Sequence, residues 1–391
     1  MGERTKIRSG KMVSEEIVNS LLVTQKSSWE NLIQISKTKK IANGYLFSGP
    51  VGSGKEAIAL KFSQLLNCES SNDKICYKCG SCIRFNKLQH ENLKIITPLP
   101  ASKNTSSDLN SSGGIFSEDL IKSIKKKSEN PFYKISIKNA NRILIQSIRE
   151  LRKILYLKHD QKKGHNIVII FDAEMLCTGQ GESGNALLKI LEEPPSNTSI
   201  ILVTNHKKML FSTIISRCQQ VYFSALSNKF IFNYLKFQNL NDSDAKFFSQ
   251  ISKGNIHKAI LLSNDSKDDL INIITNITDT LIDKNVQNWD KFISHYSRLS
   301  KNNIIQFKSH FNLISIWFRN AYLHKNNLEI DFDDEKIVSK IIIFNKKFPS
   351  TDYYSIIILI ENVIKSVSQN LHMPLVLINF MIDLQEYINE K

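Results

Sequence analysis

The stretch GYLFSGPVGSGKEAIALKFSQLL (44–66) narrows the folds open to this chain more than any other segment. A short apolar run ends in Gly-Pro, passes through two further glycines to Lys55, and resumes with apolar residues at helical spacing. Glycines let such a loop curl so that backbone N–H groups face phosphate oxygens, and the following helix adds its positive end. Gly49, Gly52, Gly54 and Lys55 are therefore candidate nucleotide-binding residues, with Lys55 placed to neutralise terminal phosphates. The next position should carry a Ser or Thr hydroxyl for Mg²⁺. Here it is Glu56, which lacks that hydroxyl and brings a negative charge toward anionic phosphates. The expectation is a P-loop fold with doubtful ATP binding.

The second half of such a site is altered too. IVIIFDAE ends an apolar strand in Asp172, a candidate metal-side acid, but Ala173 stands where a water-activating Glu would be. Glu174 lies one residue further on, and in an extended segment it would point to the opposite side. The chain is therefore not expected to hydrolyse ATP by itself.

Strand-like runs at 44–50, 92–98, 166–172, 199–205 and 219–225 alternate with helical patterns at 56–66, 142–157 and 185–193. That rhythm predicts an α/β domain with a parallel sheet over residues 1–225. Residues 100–130 interrupt it with a Ser-, Asn- and Gly-rich stretch, read as a flexible insertion. Residues 226–267 pattern as short helices forming a small domain, and 268–391 as longer helices forming an all-α domain.

Cys68, Cys76, Cys79 and Cys82 have the spacing C-x7-C-x2-C-x2-C. Four thiolates in so short a span can close a tetrahedron round Zn²⁺, leaving no open position, so the expected role is structural. Cys177 and Cys218 lack such a pattern and read as buried thiols. The N-terminal residues are polar and show no secretory core, and no apolar run is long enough to span a bilayer. Both fit a cytoplasmic protein without membrane contact. The net charge of +15 favours phosphate-rich partners, although it is carried mostly by Lys in an Ile- and Asn-rich chain.

LFSGPVGSGK, the four-cysteine module after the first helix of the pattern, SIREL (147–151), NALLKILEEPP (185–195) and IISRCQQVYF (214–223) occur in that order. Together they resemble the bacterial DNA polymerase III clamp loader subunits of the AAA+ class, over residues 25–225. The resemblance implies an AAA+ domain with an inserted zinc module (68–82), a small helical lid (226–267) and a helical collar (268–391). Within the family, gamma/tau subunits keep an intact nucleotide site. Glu56, Ala173 and His257, which stands where a sensing Arg is expected in 254–257, depart from that pattern and favour the delta prime kind. The resemblance also implies that Arg217, in Ser216-Arg217-Cys218, serves as an arginine finger in trans, and that Thr204 and Asn205 match a sensor region. Implied partners are the gamma/tau and delta subunits of a hetero-pentamer, the sliding clamp, and primed DNA through the assembled complex. The alternatives are a gamma/tau-like active ATPase, a zinc-dependent enzyme, and a basic DNA-binding P-loop protein.

Overall fold

The structure, a computed structural model, describes residues 11–70, 73–100, 118–157, 164–283, 285–369 and 371–389. Two compact units are present: Met1–Asn239 with Lys253–Lys258, and Leu240–Ser252 with Ala259–Lys391.

The first unit is built on strands β1 (Gly44–Ser48), β2 (Leu93–Ile96), β3 (Asn166–Phe171), β4 (Thr198–Thr204) and β5 (Gln219–Tyr222). They form one sheet in the order β2-β3-β4-β1-β5, and every pairing is parallel. The reason is legible in β3 and β4, whose unbroken apolar runs suit strands covered on both faces. Successive side chains of each strand point to opposite faces. Leu46, Val168, Ile170, Ile200 and Leu202 join one cluster with Ile148, Leu151, Leu187 and Ile190. On β1, Phe47 instead meets Phe62 and Phe223 at centroid distances of 6.4 and 5.0 Å.

Nine helices lie wholly within this unit among the described residues: α1 (Lys11–Thr24), α2 (Lys26–Thr38), α3 (Lys55–Leu66), α4 (Gly80–Asn86), α5 (Glu118–Glu129), α6 (Ile145–Leu157), α7 (Glu182–Glu192), α8 (Ser212–Ile215) and α9 (Asn228–Phe237). Helix α7 stops before Pro194-Pro195, which cannot continue the hydrogen-bond ladder. The expected flexible insertion does not extend to residue 130. Helix α5 occupies Glu118–Glu129 and is tied down by buried Leu120, Ser123 and Lys127 on one face. Residues 101–117 of that stretch lie outside the described residues.

The remaining helices are α10 (Asp242–Ser252), α11 (Ile256–Leu262), α12 (Lys267–Ile282), α13 (Val286–Asn302), α14 (Ile304–Lys325), α15 (Glu335–Lys347), α16 (Tyr353–Ser366) and α17 (Met373–Ile388). The second unit centres on α14, whose Phe307, Phe311, Trp317 and Phe318 are fully buried. Phe311 meets Phe380 of α17 at 5.6 Å and Trp317 meets Phe344 of α15 at 5.2 Å. Ser266, Asn285, Asn303, Asp334 and Asp352 cap the helices that follow them, each side chain accepting a first-turn N–H. No helix among the described residues is long and apolar enough to cross a membrane.

Phe47 carries the seam between β1, α3 and the residue after β5. Phe47→Ala is expected to destabilise the first unit by about 3–5 kcal/mol, measured as a lowered denaturation midpoint of that unit's transition.

Candidate nucleotide and metal sites

The register levels Ser48 with Thr204 and Phe171 with Val203, so the carboxyl ends of β1, β3 and β4 meet along one sheet edge. Ligands of open α/β sheets bind outside such an edge. The loop 49–54, Asp172 and Asn205 all leave from it. Gly52 and Gly54 have φ of +72° and +81°, as a curling loop needs. A Cβ on Gly52 would lie 2.0 Å from Asn255 Oδ1, and the Ile256 N–H donates to the Gly52 carbonyl at 3.1 Å. Residues 254–257 thus brace the loop from outside.

Lys55 Nζ turns back on its own loop. It donates to the Gly49 and Pro50 carbonyls at 3.0 and 2.8 Å and to Asn205 Oδ1 at 2.7 Å. Burial pulls its pKa down to about 8. Glu56, one residue on, is buried and paired with two lysines. Lys127 Nζ donates to Glu56 Oε2, and Lys134 Nζ lies 3.0 Å from Glu56 Oε1. Burial opposes the carboxylate charge, but Lys127 and Lys134 overcome it and hold Glu56 well below the usual carboxylate range. Lys134 Nζ also lies 2.6 Å from Asp172 Oδ1, and Asn205 Nδ2 donates to that oxygen at 3.3 Å. Burial pushes the Asp172 carboxyl up, against the opposing pull of Lys134. A continuous polar chain therefore runs Lys55, Asn205, Asp172, Lys134, Glu56, Lys127. Lys127 is wholly buried, with its ammonium 5.1 Å from the Phe171 ring centroid and a further bond of 2.8 Å to the Tyr133 carbonyl.

Lys127 and Lys134 escaped the sequence reading, because Lys127 closes the run Lys125-Lys126-Lys127 of the segment taken for a flexible insertion. The available signal was spacing, since Lys127 falls on the face of Leu120 and Ser123. Glu174 also departs from expectation. Asp172 takes φ +50° and ends the strand, and residues 173–177 coil into a 3₁₀ turn. Glu174 consequently swings to the same edge, accepting from Thr204 Oγ1 at 2.6 Å and from the Asn205 N–H at 3.4 Å.

Arg217 lies at the other end of the sheet. Its carbonyl is beside the Cα of Gly44, where β1 begins, whereas the loop 49–54 follows the last residue of β1. Its side chain is 38% exposed, paired with Glu192 Oε1 at 2.8 Å and donating to the Thr213 carbonyl at 3.0 Å.

The four cysteines run from just after α3 to the first turn of α4, with their Sγ atoms all within 4.8 Å of one another. Cys76 and Cys82 Sγ are 3.8 Å apart. A tetrahedron of thiolates at about 2.3 Å from zinc has edges of about 3.8 Å. Cys79 caps α4, accepting from the Cys82 N–H at 3.4 Å, so C-x2-C here is the N-cap to N3 relation and helix formation itself brings the two sulfurs together. Hydrogen bonds from the Ser70 hydroxyl and the Cys79 and Lys78 N–H groups pull Cys76 down to about 6, while burial pushes Cys82 up. Four thiolates can share this volume only round a cation, and the donor set fits zinc. Cys218 is buried, and Cys177 partly so.

A sequence profile described as "DNA polymerase III, delta subunit" matches residues 24–227, more than half of the 391. The chain belongs to that family. That is the AAA+ clamp loader family, in which delta prime and gamma/tau subunits are its relatives. It is 26% identical over 228 residues to DNA polymerase III subunit delta' of Bacillus subtilis (strain 168), covering 58% of this chain and 56% of that one. Against subunit tau of the same organism it is 31% identical over 194 residues, covering 49% and 26%. Against subunit gamma of Buchnera aphidicola subsp. Schizaphis graminum (strain Sg) it is 29% identical over 229 residues, covering 57% and 51%. The chain thus spans about half or less of the length of these curated relatives.

His257 reports on the pocket's charge. Burial, together with the positive charges of Lys127, Lys134 and Lys55 and against that of Glu56, pulls its pKa down to about 4 from 6.5. Between those values the unfolded chain binds the extra proton, so this residue's contribution to stability is lost as pH falls from about 6.5 toward 4. One such proton gives a slope of up to about 1.4 kcal/mol per pH unit. Comparing the pH dependence of unfolding for wild type and His257→Asn is expected to show that share of the slope missing from the variant.

Proposed function

We propose that this chain acts as the delta prime type of clamp loader subunit. In this reading it hydrolyses no ATP of its own and offers Arg217 to nucleotide held by a neighbouring gamma/tau subunit. The observation that carries the reading is the position of Arg217, exposed at the sheet edge opposite its own P-loop. Four residues of rise along β1 separate those edges by roughly 13 Å. A guanidinium there is better placed for a neighbour's pocket than for its own. Glu192 would hold it until the neighbour's phosphates compete. An arginine offered in trans to developing phosphoryl charge is typically worth ~10³–10⁵ in rate.

The pocket supports the same reading. Lys55 is engaged by Gly49, Pro50 and Asn205, while Glu56 and Asp172 are already paired. Residues 1–225 would then be the AAA+ domain, 226–267 its lid and 268–391 the collar. On α17, Leu375, Ile378 and Ile382 are exposed at spacings of three and four, beside exposed Leu371. Such a stripe suits packing against helices of the neighbouring gamma/tau and delta subunits in a hetero-pentamer. Sliding clamp and primed DNA would be met through the assembled complex, with the net charge of +15 aiding phosphate contact. The complex would work in the cytoplasm. Zinc held by Cys68, Cys76, Cys79 and Cys82 would cross-link the segment between α3 and α4, with no catalytic part.

One observation favours a second reading, an active gamma/tau-like ATPase: the 31% identity to a tau subunit is no lower than that to the delta' subunit.

Zinc analysis of the full chain is expected to give one metal per chain, with X-ray absorption reporting four sulfurs at about 2.3 Å. Its removal by chelation should lower the melting temperature of the first unit. A coordinated water would instead favour a zinc-dependent enzyme.

Reconstitution with gamma/tau, delta and the clamp tests the main reading. Arg217→Ala is expected to lower DNA-stimulated ATPase and clamp loading, at the one facing site by ~10³ or more. An unchanged rate removes the finger. Turnover by the isolated chain, abolished by Lys55→Ala, establishes the gamma/tau reading.

A further inference from the structure

A P-loop of this family takes its divalent cation between two places: the first-turn side chain after the loop lysine, and the acid at the end of the central strand. In this chain those places are Glu56 and Asp172. A nitrogen already stands between them, with Lys134 Nζ 3.0 Å from Glu56 Oε1 and 2.6 Å from Asp172 Oδ1. The residues present therefore do not fit Mg²⁺. We propose that the Lys134 ammonium is a built-in occupant of the metal position, so that the pocket is electrically complete and closed to divalent cations.

Charge balance carries the argument further. Counted by residue type, three lysines (Lys55, Lys127 and Lys134) share the pocket with three acids (Glu56, Asp172 and Glu174). The sum is zero. A divalent cation would have to expel Lys134 and then face Lys127, whose ammonium is wholly buried on the far oxygen of Glu56. Glu56 and the two lysines thus act as one replacement rather than as a damaged motif. Glu56 supplies the second carboxylate that a serine or threonine would not, and the lysines neutralise it. Restoring Thr at 56 alone would leave Lys127 buried without its acid. This inference deepens the reading of the pocket as inactive, yet it is independent of Arg217, and its test uses the full chain alone.

The probe is Mn²⁺, followed by its spin resonance signal and by thermal melting. Wild type is expected to show no saturable uptake that depends on Asp172. Lys134→Ala vacates the space between two carboxylates and is expected to gain one Mn²⁺ site per chain, bound about tenfold or more tighter than anything in wild type, with a metal-dependent rise in melting temperature. Adding Asp172→Asn to that variant should abolish the gain, which separates the site from the cysteine cluster. Lys134→Gln, which keeps an N–H donor between the carboxylates, covers a failure of the alanine variant to fold and should gain a weaker site. Asp172-dependent Mn²⁺ uptake by wild type overturns the proposal, and so does the absence of a gain in both variants.

Discussion

Parallel pairing of β1 with β4 and β5 sorts the first unit by end. The glycine loop, Asp172, Glu174 and Asn205 leave from the carboxyl edge and converge on one pocket. The amino edge collects what precedes the strands, and Arg217 is held there by the turn into β5. Both consequences follow from strand direction and register before any side-chain chemistry is considered. The same sheet demands cover on both faces, which α3 and the α6–α7 pair provide.

Within that frame the energetics of the pocket turn on buried charge. Leaving one member of a buried ion pair without its partner costs about 3–5 kcal/mol, whereas replacing the whole group by apolar residues is often neutral. Glu56, Lys127, Lys134 and Asp172 are therefore a coupled set, in which a single loss is worse than a joint one. The polar cluster also pins α5 to the sheet, since Lys127 reaches Glu56 and the Tyr133 carbonyl while packing over Phe171.

Where the pattern was local, it could be read directly from the chain. Strands β1, β3 and β4 and helix α3 are largely buried runs of the right length, and the cysteine cluster is a matter of spacing over fifteen residues. Residues 118–129 misled because they were read together with the Ser-, Asn- and Gly-rich stretch before them, and only the tertiary fold brings Lys127 under cover. Glu174 misled for a backbone reason. Alternation across a strand holds only while the chain stays extended, and Asp172 leaves that region. Helix α13 is sparse in apolar residues, burying Phe292 and Tyr296 beside Ser297 and Ser300, so it lacks the apolar run that marks its neighbours. The roles proposed for Arg217 and for the exposed α17 stripe would depend on other chains, and in this chain alone both are legible only as surface.

A protein that needs a ligand to complete its interior carries that ligand's concentration in its folding equilibrium. Here the counter-ions of the P-loop are covalently part of the polypeptide, tethered through α5 and the turn that follows. If Lys134 holds the metal position as proposed, the folding of this pocket would not depend on the supply of magnesium.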